Sequence, residues 1–442
     1  MKKLDTLFIG FMLFSMFFGA GNLIFPPFLG ALSGTSYWLA MAGFILTAVG
    51  LPLLVILAVA RIKGGTAELG NRVHPIFSAV FMAVVYLSIG PFLAIPRNAS
   101  VAFEMGIMPF APESMNQNVA LFVYSALFFL VAFYTALNKD KMQKYMGRWI
   151  TPVLLVSIVV LCVVGFVKLD GSLLAPTGGY EAGAFFKGFI EGYNTMDALA
   201  ALTFGIVIIS AVKQQGVKEE KQLTGYLMKA AVIAGSLLAL VYVSIGWVGA
   251  RMGAAGPFES GAELLAAVST LVLGTPGTAL LGLIFTLACF TTVVGLTSAC
   301  GEYFSNVIPK ASYKAVVTAI TLIGFTLSNA GLAQILKVSV PFLVTAYPLT
   351  IVLVTLSFFH RYFRNPRMVY GTTILFTGVF AAISGLTTFG LDLGPLVTFR
   401  NLLPFASAGM DWVVPALAGA LIGLTFSGKK EPASLPKNLK VS

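Results

Sequence analysis

The chain has 442 residues, 58% of them hydrophobic and only 10% charged, with a mean hydropathy of +0.91. A soluble domain carries about 25% charged residues, so a water-soluble globule is excluded. The formal charge of +11 sits on the flanks of apolar stretches, which argues for anionic lipid as its neighbour and against nucleic acid.

A spanning helix needs about 20 apolar residues. Twelve such stretches are predicted, at 5–29, 35–60, 75–103, 117–137, 149–168, 184–212, 225–251, 276–304, 313–330, 333–360, 368–390 and 411–427. The first is longer than a leader's apolar core and runs into a second span, so it is expected to be retained. The ninth is short and meets the tenth at Ser328-Asn329-Ala330-Gly331. The stretch 255–275, interrupted by Gly274 and followed by Pro276, reads as an interfacial helix over the outer face. No extramembrane domain is expected, the longest linkers being of the kind at 169–183 and 391–410. Residues 428–442, with Gly428, Pro432, Ser434 and Pro436, read as a disordered cytoplasmic tail. Cys162, Cys289 and Cys300 all fall inside apolar stretches, where they read as small core hydrophobes.

Placing the N-terminus inside and alternating the spans sorts the 28 basic residues by side. Only Arg97, Lys168, Lys187, Arg251, Lys337 and Arg400 then fall outside. Loops on the cytoplasmic side carry the excess of Lys and Arg. The asymmetry therefore predicts an inner-membrane protein with both termini cytoplasmic.

The first span is interrupted by Phe18-Gly19-Ala20-Gly21-Asn22-Leu23-Ile24-Phe25-Pro26-Pro27. Bilayer hydrocarbon offers no water, so backbone groups freed there need protein, a wet cavity or a ligand. The sixth span repeats the pattern in Glu191-Gly192-Tyr193-Asn194-Thr195-Met196-Asp197-Ala198. The second break lies five spans after the first, an odd offset that reverses the direction of insertion. Two five-helix units of opposite topology, each led by an interrupted helix, are the pattern of inverted-repeat transporters. The expected layout is one transporter domain over 1–427, with a first repeat at about 5–168, a second at about 184–360, and two extra helices over 368–427.

Enzyme signatures are missing from the sequence. The two histidines, His74 and His360, sit far apart at inner loops. There is no His-Glu-x-x-His run, no Gly-x-Ser-x-Gly elbow and no phosphate-binding Gly-x-x-x-x-Gly-Lys loop. A repeated channel filter is also lacking.

Four blocks in order carry a family resemblance: the two breaks, Gly90-Pro91-Phe92-Leu93-Ala94-Ile95-Pro96-Arg97, and Gly295-Leu296-Thr297-Ser298-Ala299-Cys300-Gly301-Glu302-Tyr303-Phe304. Over nearly its full length the chain resembles the bacterial branched-chain amino acid:cation symporters of the amino acid–polyamine–cation superfamily. The resemblance implies an all-α, LeuT-like fold. It places substrate and coupling ion between broken helices one and six, beside helices three and eight.

A broken helix presents carbonyls where it ends and N–H groups where it restarts, with partial charges of opposite sign. A zwitterionic amino acid matches that pair. Its carboxylate suits the restart at Gly19, Ala20, Gly21, Asn22 and Leu23, where two glycines let backbone approach ligand. Its ammonium suits the break at Tyr193, Asn194 and Asp197. The resemblance places sodium on the Thr297 and Ser298 hydroxyls, with carbonyls of Val294, Ser15 and Phe18; Thr291 and Thr292 are the fallback pair. Asp197 is open to four readings: a contact for the ammonium, a sodium ligand, a proton carrier in a proton-coupled alternative, or an ion pair with Arg97. Arg97 reads as an outer gate pairing with Glu104 or Glu191, or as a snorkelling anchor. Gly419-x-x-x-Gly423 permits close helix contact, between protomers among other options, and leaves the oligomeric state open.

Overall fold

The computed structural model describes residues 3–62, 65–112, 114–217 and 219–426. The predicted tail at 428–442, and Lys2, Lys63 and Lys218 among the inner-flank lysines, lie outside the described residues. Among those described, every regular element is helical. In chain order they are α1 (Lys3–Phe17), α2 (Ala20–Ser33), α3 (Tyr37–Ile45), α4 (Leu51–Arg61), α5 (Gly65–Asn71), α6 (Pro75–Leu87) and α7 (Ala94–Gly106). There follow α8 (Gln117–Leu137), α9 (Lys139–Met142), α10 (Thr151–Lys168), α11 (Ala184–Glu191), α12 (Asp197–Gln214), α13 (Glu220–Met252) and α14 (Gly261–Leu273). The last are α15 (Thr275–Val307), α16 (Tyr313–Ser328), α17 (Leu332–Phe359), α18 (Pro366–Thr388), α19 (Pro395–Asn401) and α20 (Val413–Thr425).

Nine helical runs among the described residues are long and apolar enough to cross a membrane, and α1, α16 and α20 are shorter apolar helices. Twelve crossings account for them. Five are assembled from two helices each, α1 with α2, α3 with α4, α6 with α7, α9 with α10, and α11 with α12, while α16 and α17 are two separate spans. The remaining single-helix spans are α8, α13, α15, α18 and α20. Polar residues start several of these helices by accepting first-turn N–H bonds. Asn116 takes those of Asn118 and Val119 at 3.1 and 3.3 Å, and Ser312 takes that of Ala315 at 3.2 Å. Between α16 and α17 the chain turns at Gly331, whose φ of +86° suits glycine.

Three elements depart from the sequence reading. Pro26 and Pro27 do not break the first span, because α2 runs straight through both. Close backing by α13 makes this tolerable: a Cβ on Gly249 would run into the Pro27 carbonyl, and one on Gly30 into that of Gly246. Small residues of this kind let membrane helices touch along their backbones. The third span is kinked as well. Pro91 lacks an N–H and Gly90 leaves the helical region with φ −77° and ψ −118°, so α6 and α7 join through a π-helical turn at Ser88–Phe92. Finally, Gly419 and Gly423 pack inside the chain: a Cβ on either would meet α18, and Thr372 Oγ1 donates to the Gly419 carbonyl at 2.7 Å. That motif joins the last two spans to each other.

The predicted interfacial helix is α14, which packs on α2 and α15. All three cysteines are free and buried. The core is apolar, but a band of buried polar residues that includes Ser15, Asn22, Arg97, Asn98, Thr195, Asp197, Thr291 and Thr292 crosses it.

Candidate functional site

The first break opens when two N–H groups leave the helical ladder. Phe18 N–H still bonds the Phe14 carbonyl at 2.8 Å. The next two turn to side chains: Gly19 N–H donates to Asn22 Oδ1 at 3.1 Å, and Ala20 N–H to Asn98 Oδ1 at 2.9 Å. Asn98 is held for this by donating to the Ala94 carbonyl at 2.7 Å. The Ser15 and Met16 carbonyls thereby lose the donors a continuous helix would supply. Ser15 receives hydroxyls from α15 instead, Thr291 at 2.8 Å and Thr292 at 3.5 Å.

In the sixth span, α11 passes into a 3₁₀ turn at Gly192–Thr195, and Met196 takes a left-handed conformation with φ +67° before α12 begins. For a residue bearing a Cβ that conformation costs about 1–2 kcal/mol, so the surroundings must hold it. They do so through Asp197. Its Oδ2 accepts from Asn22 Nδ2 at 2.6 Å and from Tyr242 Oη at 3.0 Å, and the Asn22 amide also touches the Tyr242 hydroxyl. Tyr347, its ring stacked on Tyr193 at 4.4 Å, accepts the Ala198 N–H at 3.4 Å. The two breaks are thus tied to each other by one amide, one carboxylate and one phenol.

Arg97, in the first turn of α7, is 4% exposed. Its Nη1 donates to the Asn194 carbonyl at 3.2 Å. The guanidinium and Asp197 make no direct ion pair, although both line one enclosed cavity of about 20 Å³ with Gly19, Gly21, Asn22, Thr195 and Thr292. That volume holds one water-sized body, so an amino acid enters only if the helices move apart.

The sequence-derived residues divide accordingly. Gly19, Ala20, Gly21, Asn22, Asp197 and Arg97 meet at the cavity. Leu23 is buried one turn into α2, and Asn194 contributes its carbonyl while its amide donates to Glu191 at 2.9 Å. Tyr193 stacks on Tyr347 with its hydroxyl buried and unpartnered among the described residues. Ser15 lies at the break, and Phe18 stacks on Phe14 beside it. Val294, Thr297 and Ser298 are buried farther along α15, where Ser298 Oγ reaches Met142 Sδ at 3.5 Å and no hydrogen bond to the Ser15 carbonyl is seen among the described residues. Thr291 and Thr292 do bond it. Glu191 pairs with Lys187 at 3.0 Å, and Glu104 is exposed at the far end of α7, so neither is brought to Arg97.

Four participants escaped the sequence reading: Asn98, Thr195, Tyr242 and Tyr347. Asn98 carries the same signal as Asn22, an amide amid apolar neighbours. Tyrosines in apolar helices are ordinary, so Tyr242 and Tyr347 carry none.

Two interrupted helices joined at their breaks, with α7 and α15 closing the polar cavity between them, define the LeuT-like fold. Solved structures agree. The chain is similar to Mhp1, a nucleobase-cation-symport-1 family transporter closed around bromovinylhydantoin, with a TM-score of 0.63 at 14% identity over 95% of this chain and 91% of that one. It is also similar to MhsT in complex with L-phenylalanine, with a TM-score of 0.53 at 15% identity over 94% and 98%. The branched-chain amino acid transport protein family matches residues 2–430, and the chain belongs to that family. Relatives include the branched-chain amino acid permeases BraB and BrnQ of Bacillus subtilis. BraB is 44% identical over 96% of this chain and 95% of its own, BrnQ 43% over 95% and 96%. The branched-chain amino acid transport system 2 carrier protein of Pseudomonas aeruginosa is 39% identical over 98% and 99%. The chain is a multi-pass membrane transporter and not an enzyme.

Proposed function

We propose that this protein brings leucine, isoleucine and valine into the bacterial cell together with sodium, by alternating access. The substrate class follows its relatives, which are named as branched-chain amino acid permeases. One observation supports it at the site: the first turn of α2 and Asp197 line a common cavity with Arg97, whose guanidinium holds the Asn194 carbonyl beside it. Gly21 and Asn22 lie where N–H groups have no carbonyl one turn earlier, and the partial positive charge there suits a carboxylate. Asp197 and the Asn194 carbonyl suit an ammonium. An apolar pocket discriminates a single methylene by only about 1–3 kcal/mol, so one site serves all three side chains.

Sodium is best held by neutral oxygens at the first break. The set we favour is the Ser15 and Phe18 carbonyls, the Ala288 carbonyl and the Thr291 and Thr292 hydroxyls, in preference to Val294, Thr297 and Ser298. It rests on the hydrogen bonds that already bring Thr291 and Thr292 to Ser15. An ion there would replace the hydroxyl protons as the partner of that carbonyl. One positive charge moving inward gains about 2.3 kcal/mol per 100 mV, which drives accumulation. Both termini are proposed to be cytoplasmic, by the distribution of basic residues, and the two repeats to span about 5–168 and 184–360.

The second reading, proton coupling, rests on Asp197 as a carboxylate inside the cavity. Uptake of labelled leucine into proteoliposomes tests both. Accumulation under an inward sodium gradient at zero voltage and equal pH is the expected result. Accumulation that ignores sodium but follows an inward proton gradient would move the coupling to Asp197. Leucine that is not transported under either gradient would overturn the transport reading itself.

A further inference from the structure

Arg97 has no task in that scheme. It is a permanent cation at the centre of a membrane protein, where such charges normally face a partner or a substrate path. Yet only Nη1 is used, on the Asn194 carbonyl. Nε is buried and has no partner among the described residues. Nη2 lies over the start of α2: a Cβ on Gly21 would come within 2.9 Å of it and within 3.1 Å of the Asn194 oxygen. The guanidinium therefore covers the restart of the first span while it caps the carbonyl end of the break in the sixth.

We propose that Arg97 binds the carboxylate of the transported amino acid. The inference rests on the amino acid transport reading and adds to it the group that neutralises the substrate's negative charge. The guanidinium fork matches a planar carboxylate, as the point charge of a lysine does not. Nε and Nη2 supply two parallel donors, and the first-turn N–H groups of Gly21 and Asn22 supply others. As the fork turns to the carboxylate, the Asn194 carbonyl is released to the substrate's ammonium, beside Asp197. Before substrate arrives, Arg97 thus occupies the acceptor that the ammonium will need. Glycine at 21 keeps the space for this exchange. The substrate's carboxylate then requires no second metal ion as its counter-charge.

The test compares ligands that differ only at the carboxylate. Purified protein in sodium buffer is titrated with labelled leucine, displaced by leucine, by leucinamide or by 3-methylbutylamine. In the wild type, leucinamide and the amine should bind at least 100-fold more weakly than leucine. In Arg97→Gln the leucine-to-leucinamide ratio should fall below about tenfold, because leucine is weakened and leucinamide is not. Arg97→Lys, which keeps the charge and protects the fold, should lie between. Gly21→Ala should shift the ratio in the same direction by crowding the fork. A ratio in Arg97→Lys and Arg97→Gln equal to that of the wild type would overturn the inference and leave Arg97 as a clamp between the third and sixth spans, with the transport reading intact. Failure of the wild type to bind leucine would overturn both.

Discussion

Asp197 shows how one residue sets the character of the whole site. A carboxylate at mid-span costs about 2.5–3.5 kcal/mol on insertion scales, and here two donors, Asn22 and Tyr242, meet the same oxygen. Replacing it by asparagine removes the charge and sets an amide against the amide of Asn22. Asp197→Asn is expected to lower leucine uptake at least 100-fold while membrane insertion, read by expression and a monodisperse elution profile, stays normal. Asn22→Leu should likewise abolish uptake without loss of insertion, since the span becomes more apolar. Retained uptake in that variant would show that the break of the first span is not used. Asn22 and Asp197 were legible in the sequence because polarity inside a span is expensive. Tyr242 was not, since a phenol with a polar tip is common in membrane helices and only the fold reveals what the tip touches.

Helices and their ends were legible from apolar runs and breakers, but depth along a helix was not. Thr291-Thr292 and Thr297-Ser298 are both hydroxyl pairs in one uninterrupted apolar helix, six residues or about 9 Å apart. Hydropathy does not distinguish them. The proposed choice of Thr291-Thr292 rests on the level at which α1 ends, which depends on Asn22 and Asn98 drawing off the Gly19 and Ala20 N–H groups. Thr291→Ala with Thr292→Ala is expected to raise the sodium concentration for half-maximal uptake at least tenfold. Thr297→Ala with Ser298→Ala should leave it within about threefold. The reverse ranking would return the ion to the inner position. The prolines teach the same lesson: Pro26 and Pro27 looked like part of the break, yet the glycine-lined face of α13 holds α2 together across them. Gly249→Leu would force that pair apart, and overpacking of this kind costs about 1–3 kcal/mol. A clear drop in thermal stability in detergent is the expected outcome.

For the molecule as a whole, the sequence conveyed the all-helical membrane fold and the two breaks, because each leaves a trace in polarity. It left out the joints, such as the kink at Gly90 and Pro91 and the seating of the last two spans on each other through Gly419 and Gly423. These depend on which surfaces meet. The closed cavity of about 20 Å³ means that substrate entry and helix movement are one event, as alternating access requires. If Arg97 opposes the substrate carboxylate and Asp197 its ammonium, as proposed, one sodium suffices for binding. The sodium dependence of leucine uptake should then show a Hill coefficient of 1. A coefficient near 2 would require a second ion and contradict the role given to Arg97. The most direct measurement of all is an experimental structure determined with leucine and sodium bound. The account predicts amino acid density between Gly21-Asn22 and Asn194-Asp197, carboxylate toward the start of α2. Leucine seated anywhere else, with those two breaks still bonded only to each other, would contradict it.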